Sequence, residues 1–375
     1  MFYVALRILL YDKTRSLLTL AGVIFAVSLI FAQVGIYQGL METSSVVIDN
    51  TPGDIWITSK NSKNFDFSQS IPEYLHHHAL STAGVDWAEK IIITWGLIKQ
   101  KEGGTEQVEI LGFNPETGIG GPWEMLSGHP TAVKNGNFII VDESAKARLG
   151  EIRVGEYREI LSRRMQVVGI SQGVKSFTTA PIIFTSYRMA QELAQIVGRD
   201  NTVFIVVKVA DGYSIGEVIN RLQDKLVGVD VYSKRDFSRK TRLYWTIETG
   251  VGFSFLLTIV ISFLVGILIV GQTIYNSTME HIKEFGTLKA LGATNGEIYQ
   301  IIFAQALMNA LLGYLVSLVF ALLSVKLYTA LGTAMVVNAV TNVSVLGLTL
   351  IMCLSATAVS MRRIRNIDPA LLFRG

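Results

Sequence analysis

Charged side chains are scarce in this chain of 375 residues: Asp, Glu, Lys and Arg make up 17% of it, against about 25% in an average soluble domain. They are absent altogether from four stretches, at 16–41, 249–279, 298–325 and 327–361. Each stretch is longer than the roughly 20 residues that a helix needs to cross the hydrocarbon core of a bilayer. This scarcity excludes a soluble protein and predicts four membrane spans, with most of the charge in one domain at 42–248.

Cysteine and the signatures of catalysis are scarce as well. The single cysteine, Cys353, lies in the fourth uncharged stretch, so the chain cannot form an intrachain disulfide or a thiolate metal cluster. No G-x-x-x-x-G-K-S/T phosphate loop is present, which excludes ATP hydrolysis by that route. The net charge of +3 includes no basic tail that would favour nucleic acid. We therefore predict that this chain is not an enzyme and holds no catalytic residue, cofactor or metal.

Two residue patterns resemble sites but have simpler explanations. His76, His77 and His78 could suggest a metal site, yet consecutive helix positions point about 100° apart, so three in a row cannot converge on one ion. A solvated helix face explains them better. Asp142 and Glu143 could be a catalytic pair of carboxylates. An aspartate at the start of a helical pattern is a favourable N-cap, however, and this is the interpretation we prefer.

The distribution of basic residues predicts the orientation, because Lys and Arg near the spans are enriched on the cytoplasmic side. Nine lie on the side of both termini: Arg7, Lys13, Arg15, Lys283, Lys289, Arg362, Arg363, Arg365 and Arg374. Six lie on the other side: Lys234, Arg235, Arg239, Lys240, Arg242 and Lys326. We therefore expect both termini in the cytoplasm and the domain at 42–248 on the opposite side.

The spans divide the chain into eight segments. They are an amphipathic cytoplasmic helix (1–15), the first span (16–41), the large domain (42–248), the second span (249–279), a cytoplasmic loop (280–297), the third span (298–325), a short outer loop with the fourth span (327–361) and a cytoplasmic tail (362–375). The second span would form a helix of about 46 Å, so it either tilts or projects as a stalk. Gly35 and Gly39 have the spacing of close helix packing, either within the chain or at a subunit interface.

The periodicity of its apolar residues predicts a mixed α/β fold for the large domain. Strand–helix–strand patterns occur at both of its ends, at 54–59, 71–83 and 90–101 and again at 202–210, 214–226 and 229–233. This repetition suggests two similar halves that come together in one lobe. Residues at about 114–200, with strands near 138–141, 156–161, 165–170 and 181–185, would form a second, inserted lobe.

The segment that follows the second span has an amphipathic pattern. Its apolar flank consists of Ile282, Phe285 and Leu288, and its charges are Glu280, Lys283 and Glu284. Gly292 would end this short helix as a C′ glycine. A solvated connector is the simpler interpretation, but an apolar flank at the inner membrane surface favours a partner with a complementary groove.

A basic run precedes the second span. Its cations are Lys234, Arg235, Arg239, Lys240 and Arg242, and Phe237, Leu243, Tyr244 and Trp245 supply apolar and aromatic groups. Each Lys or Arg beside an anionic membrane surface is worth about 1 kcal/mol, and aromatic residues anchor at such surfaces. Arg235, Arg239, Lys240 and Arg242 are thus candidates for contact with lipid headgroups. A solvated stalk, whose charges only keep it soluble, is an equally open interpretation.

Several of these segments carry motifs of a known family. The run Glu284-Phe-Gly-Thr-Leu-Lys-Ala-Leu-Gly-Ala293 resembles the signature of the FtsX-like ABC transporter permeases, which include the macrolide exporter MacB. Further motifs similar to those of the family lie at 5–7, 15–22, 140–147, 165–170 and 362–371, so the resemblance covers essentially the whole chain. The segment from 11–16 to 53–57 is similar to the DevC-type permeases of cyanobacterial heterocyst glycolipid exporters.

The resemblance implies a homodimeric permease for a lipid or glycolipid-like substrate in a bacterial, specifically cyanobacterial, plasma membrane. ATP and Mg would be held by a separate ATPase subunit, because this chain has no fused ATPase. A porter-like lobe and the inserted lobe would dock a HlyD-like periplasmic membrane-fusion protein and act through a TolC-like outer-membrane channel. ATP binding would close these lobes through the long helices, which is called mechanotransmission. The ATPase would bind Glu280, Ile282, Lys283, Glu284, Phe285, Gly286, Leu288, Lys289, Gly292 and Ala293.

Two other functions remain open for such a permease. One is an FtsX-type signalling permease, which regulates a periplasmic cell-wall hydrolase and moves no substrate. The other is the release of lipoproteins from the plasma membrane. The signalling relatives have a much smaller periplasmic insert than the domain at 42–248, which favours export.

Overall fold

The computed structural model of the protein describes residues 13–101, 103–174, 180–194, 198, 200–281, 286–287, 291–330 and 334–364. The chain forms two compact units. The helical unit consists of 1–39, 252–329 and 335–375, and the sheet unit consists of 40–251 and 330–334.

Within the described residues, the helices vary widely in length. In chain order they are α1 (Lys13–Ser44), α2 (Val46–Asn50), α3 (Leu75–Leu80), α4 (Lys146–Leu149), α5 (Tyr187–Leu193), α6 (Ile215–Lys225), α7 (Lys234–Leu243), α8 (Val251–Glu280), α9 (Asn295–Ala330) and α10 (Ala339–Ile364). A π-helix at Tyr244–Glu248 follows α7, and short 3-10 helices lie at Pro130–Val133 and Glu143–Ala145.

The strands lie in the sheet unit. They are β1 (Ile55–Ser59), β2 (Ile71–Pro72), β3 (Val85–Lys99), β4 (Thr105–Phe113), β5 (Met125–Ser127), β6 (Phe138–Asp142), β7 (Tyr157–Ile160), β8 (Arg163–Ser171), β9 (Ile182–Ser186), β10 (Asn201–Thr202), β11 (Phe204–Val209) and β12 (Val229–Ser233).

In the described part of the chain, four helices are long and apolar enough to cross a membrane. The qualifying segments are Leu17–Ser44 of α1, Val251–Asn276 of α8, Gly296–Tyr328 of α9 and Ala339–Ala358 of α10. They correspond to the four uncharged stretches, so the predicted class of a four-helix membrane protein with a large mixed α/β domain is confirmed. Helix α8 has 30 residues, and Gly250 before it has a φ of 73°, a left-handed conformation that glycine adopts readily.

The core of the helical unit is formed by one side of α1 and the helices against it. Its fully buried members include Val23, Ala26, Val27, Ile30 and Phe31 of α1, Ile302 and Ala306 of α9, and Met352 and Ala356 of α10. Gly266 of α8 allows a close approach to α10, because a Cβ there would lie 2.1 Å from the sulfur of Met352. Small residues at helix crossings are the usual means of tight packing between membrane helices.

One continuous sheet, in the order β12-β1-β11-β3-β4-β9-β6-β8-β5, runs through the sheet unit. Most pairs are antiparallel, whereas β4–β9 and β6–β8 are parallel. Strand β3 is 15 residues long and pairs with β11 along residues 85–91 and with β4 along 92–99. The residues predicted as an inserted lobe therefore extend this sheet, because β9 pairs with β4.

Strands from the two ends of the domain alternate at one edge of the sheet, in the order β12-β1-β11. Strand β1 pairs antiparallel with both β11 and β12, so the two strand–helix–strand patterns come together as predicted. On one face, α3 and α6 cover the sheet through residues that include Leu75, Ala79, Val218 and Leu222. The other face carries an aromatic core of Trp56, Phe65 and Phe204, against which α7 packs through Phe237.

Candidate functional site

Helix α7, which carries the basic run, begins where Ser233 caps it. The Ser233 hydroxyl accepts a hydrogen bond from the Asp236 amide at 3.1 Å and donates one to Asp236 Oδ2 at 2.6 Å. Such a cap satisfies a backbone donor that the first turn of a helix leaves unpaired. Phe237 then holds the helix on the sheet, with its ring centroid 5.7 Å from those of Trp56 and Phe204.

Two aromatic residues predicted as membrane anchors belong instead to the interior of the sheet unit. Phe237 is completely buried and Trp245 is 8% exposed, so neither ring is free to insert into an interface. The position of an aromatic residue beside an apolar span does not distinguish a membrane anchor from a core residue. Leu243 remains exposed, and Tyr244 is half-buried.

Three of the five basic residues bind groups of their own domain. The Lys234 ammonium donates to the Thr51 carbonyl at 2.9 Å. Lys240 donates to the Tyr232 hydroxyl at 2.5 Å and lies 4.5 Å from the centroid of its ring. The guanidinium of Arg242 forms an ion pair with Asp49 at 2.7 Å and donates to the Ser45 hydroxyl at 2.7 Å. These side chains stabilise the position of α7.

The other two, Arg235 and Arg239, are exposed. They lie one turn apart on α7, and both line a cleft of about 1140 Å³. The rest of the lining comes from α2, the segment before β1, the first residue of α6, the last residue of β12 and other positions of α7: Asp49, Gly53, Asp54, Ile215, Ser233, Lys234, Asp236, Ser238 and Arg242. The structure thus divides the basic run, which the sequence presented as one group, into three residues bound to groups of the domain and two exposed arginines. Two of the three bound residues, Lys234 and Arg242, also line the cleft.

The segment between α7 and α8 is attached to the loop that follows β1. Trp245 Nε1 donates to Asp66 Oδ2 at 3.0 Å, and Lys63 forms an ion pair with Glu248 at 2.5 Å. The Phe67 ring lies 6.0 Å from the ring of Trp245. Burial raises the pKa of Asp66 to about 6, because the charged form loses its hydration there. This contact was not predictable from the sequence, since no local pattern connects residues 179 positions apart.

The segment 280–293, to which the ATPase is predicted to bind and which is called the coupling segment here, is described only in part. Glu280, Gly286, Gly292 and Ala293 are described, whereas Ile282, Lys283, Glu284, Phe285, Leu288 and Lys289 lie outside the described residues. Gly292 has a φ of 98°, the conformation expected of a C′ glycine. Helix α9 then begins with a capping box. The Thr294 amide donates to Glu297 Oε2 at 2.8 Å, and the Glu297 amide donates to the Thr294 hydroxyl at 3.3 Å.

The two glycines of the predicted packing motif in α1 are both buried. A Cβ on Gly35 would lie 3.2 Å from side-chain atoms of Met335, and the Gly35 carbonyl accepts a hydrogen bond from the Val336 amide at 3.0 Å. Packing within the chain therefore accounts for Gly35, one of the two alternatives that its spacing left open.

His76 and Asp142, which belong to the two patterns that resembled sites in the sequence, both form contacts within their own domain. His76 Nε2 lies 2.9 Å from the Ala88 carbonyl, and burial lowers the pKa of its ring. Asp142 is confirmed as a cap: its Oδ1 accepts from the Ser144 amide at 2.9 Å. Its Oδ2 accepts from the Ser171 hydroxyl and the Val174 amide, each at 3.1 Å. Both oxygens of the Asp142 carboxylate are therefore occupied by structural hydrogen bonds.

Comparison with protein families agrees with this architecture. Residues 16–225 match the model of the MacB-like periplasmic core domain, and residues 256–369 match that of the FtsX-like permease C-terminal region. The chain belongs to the MacB/FtsX-like family of ABC transporter permeases. It is accordingly a multi-pass membrane protein, and membership of an ABC transporter family implies an ATPase partner.

Individual relatives are similar over different parts of the permease. An ABC transporter permease of Mycobacterium tuberculosis, named as uncharacterized, is 24% identical over 383 residues that cover 100% of both chains. The macrolide export ATP-binding/permease protein MacB of Agrobacterium fabrum is 28% identical over 196 residues, which cover 49% of this chain and 30% of that protein. The solved periplasmic region of MacB from Actinobacillus actinomycetemcomitans covers 52% of this chain and 96% of its own, with 13% identity and a TM-score of 0.39.

Proposed function

We propose that this permease is the membrane subunit of an exporter that moves a lipid or glycolipid-like substrate, powered by a separate ATPase. The observation that carries the proposal is the contact, within the sheet unit, of residues 244–248 with the loop after β1 through Asp66–Trp245 and Lys63–Glu248. This segment directly precedes α8 in the chain. A displacement of α8 would therefore be transmitted to the domain, because coupling needs a continuous series of packed and hydrogen-bonded groups.

The ATPase would act on the segment 280–293. Its amphipathic sequence supports this assignment, since an apolar flank on a short helix binds a complementary groove in a partner. The contact would include Glu280 at the end of α8, Gly292 at the turn, and the Phe285 side chain as the apolar anchor. ATP and Mg would be bound by the ATPase and not by this chain.

The proposed assembly is a homodimer in the plasma membrane of a bacterium, with both termini in the cytoplasm and the sheet unit in the periplasm. A HlyD-like membrane-fusion protein would dock on the sheet unit and connect it to a TolC-like outer-membrane channel. The size of the sheet unit, which spans residues 40–251, supports export over FtsX-type signalling. The similarity to DevC-type sequences supports a cyanobacterial source and a glycolipid-like cargo, whereas the MacB relative is named as a macrolide exporter.

Substitution of Trp245 tests whether the attachment drives transport. In the complete complex with its ATPase, Trp245→Phe should leave ATP hydrolysis active but lower lipid transfer out of the membrane by about tenfold, because the domain would follow α8 less closely. The control is Tyr74→Phe, which changes an exposed aromatic ring of the same domain. Transfer at the native rate in Trp245→Phe would exclude this route of coupling.

A further inference from the structure

We propose that the cleft beside α7 binds the phosphate of an anionic lipid headgroup, with Arg235 and Arg239 as its ligands. The site does not require the chain to export lipid, because a headgroup could be held there as a fixed component of the surrounding membrane. The net charge of the cleft, its size and its place in the chain all favour such a ligand.

The carboxylates in the cleft wall already have partners. Asp49 is paired with Arg242 at 2.7 Å. Asp54 is paired with Lys208 at 3.0 Å and accepts from the Val209 amide at 3.0 Å. Asp236 accepts from the Ser233 hydroxyl. Asp49 and Asp54 are thus paired with cations, whereas Asp236 keeps its negative charge. The lining holds four basic residues, Lys234, Arg235, Arg239 and Arg242, against three carboxylates, so its net charge is positive. Arg235 and Arg239 are both exposed, and they are therefore accessible to an anion that enters the cleft.

The spacing of the two arginines suits a phosphate. Residues four apart on a helix are neighbours on its surface, so Arg235 and Arg239 can bind the same group. Guanidinium ions bind phosphate oxygens in a bidentate manner and are more weakly hydrated than ammonium ions. The cleft of about 1140 Å³ is large enough for a headgroup, since small-molecule pockets usually measure about 300–1,000 Å³.

The position of the cleft in the chain favours a lipid over a soluble anion. Only residues 244–250 connect α7 to the membrane-length helix α8, and seven residues span at most about 25 Å. Leu243, which directly follows the cleft residue Arg242, is 43% exposed, and Ile247, one turn further along the chain, is 70% exposed. Apolar side chains of this kind can contact the acyl chains of a lipid whose phosphate lies between the arginines.

The binding test uses the full-length protein in detergent, without its ATPase. Native mass spectrometry would measure the binding of phosphatidylglycerol and, in parallel, of diacylglycerol, which has the same acyl chains but no phosphate. The native chain should prefer phosphatidylglycerol. Each arginine contributes about fivefold, the equivalent of ~1 kcal/mol for a basic residue at an anionic surface. Replacing both in Arg235→Gln/Arg239→Gln should therefore weaken phosphatidylglycerol binding roughly 25-fold and leave the binding of diacylglycerol, which has no phosphate, unchanged.

Two control variants separate this site from general electrostatics. Arg188→Gln removes a charge that is 90% exposed on α5 and should leave phosphatidylglycerol binding within twofold of native. Lys240→Gln removes an internal contact, so it should lower the melting temperature without a comparable loss of binding. Unchanged binding in the double arginine variant, or an equal loss in Arg188→Gln, would overturn the proposal. Glycerol phosphate that binds as tightly as phosphatidylglycerol would show a soluble anion site and overturn the assignment to lipid.

Discussion

Trp245 donates a hydrogen bond to the carboxylate of Asp66 at 3.0 Å, and both side chains are buried, with 8% and 6% of their surface exposed. Trp245 belongs to the π-helix that ends two residues before α8, whereas Asp66 belongs to the loop after β1. A buried carboxylate is costly unless it is hydrogen-bonded. The pair therefore holds the segment that precedes α8 in the chain within the interior of the domain.

The first prediction concerns the stability of this contact. Trp245→Phe removes the donor and should lower the free energy of unfolding by about 1–3 kcal/mol, because a buried acceptor loses its partner. Denaturant unfolding of the full chain in detergent would measure the change. Since the substitution also reduces volume, the double variant with Asp66→Asn should show a coupling energy of at least about 0.5 kcal/mol. Strictly additive effects would mean that the two residues do not interact.

The second prediction is a pH dependence of stability. Burial raises the pKa of Asp66 to about 6, whereas the pKa of an aspartate in an unfolded chain is about 3.9. Between these values the folded protein holds a proton that the unfolded protein releases, so the contribution of this group to stability grows as the pH falls from 7 to 4. Asp66→Asn keeps an acceptor but cannot titrate.

Unfolding of the native chain and of Asp66→Asn at several pH values would measure this contribution. The native chain should lose up to a few kcal/mol relative to the variant between pH 4 and pH 7, at about 1.4 kcal/mol per unit of pKa difference. A constant difference between the two proteins over this range would show that Asp66 does not titrate as described.

Much of the fold was predictable because its signals are local. An uncharged stretch longer than 20 residues has few alternatives to a membrane span, and the cap at Asp142 follows from the residue itself. The pairing of β1 with β11 and β12 was suggested by similar patterns at the two ends of the domain. The full length of β3, 15 residues, was harder to predict. One half of this strand pairs with β11 and the other half with β4, and neither pairing is visible in the local sequence.

The candidate site was predictable only in outline. The basic run was visible in the sequence. Which of its residues are paired within the domain and which are exposed was not, because a contact such as that of Arg242 with Asp49 spans 193 positions. Phe237 and Trp245 were wrongly assigned to the membrane surface for a similar reason. Their burial depends on residues of distant segments, such as Trp56 and Asp66, that no periodicity brings together.

The third prediction concerns the ATPase. Glu284→Lys reverses a charge of the coupling segment, and Phe285→Ala removes its aromatic anchor, which is worth a few kcal/mol at a typical interface. Each variant should weaken co-purification of the ATPase and abolish substrate-stimulated ATP hydrolysis. Lys326→Ala is the control and should behave as native. The sequence placed Lys326 in an outer loop, but in the structure it lies in the last turns of α9, which continues to Ala330. Recovery of the ATPase at native stoichiometry and salt by the double variant would exclude this segment as the contact.

The fourth prediction concerns orientation. Cysteines introduced at Lys60 and Asp200, both exposed in the sheet unit, should react with a membrane-impermeant maleimide in cells whose outer membrane has been permeabilised. A cysteine at Asn295 should react only after the plasma membrane is opened. The native Cys353 is buried and would be replaced by serine. The reverse labelling pattern would invert the topology and remove the export mechanism with it.

The lipid composition of the separated plasma and outer membranes would test the proposed ATPase-driven export of a lipid-like substrate. The comparison uses cells that lack this permease, complemented with the native chain or with Glu284→Lys/Phe285→Ala. We predict that one lipid class accumulates in the plasma membrane and is depleted from the outer membrane, and that only the native chain restores it. Identical lipid compositions, together with altered cell-wall hydrolysis, would contradict export and favour a signalling permease.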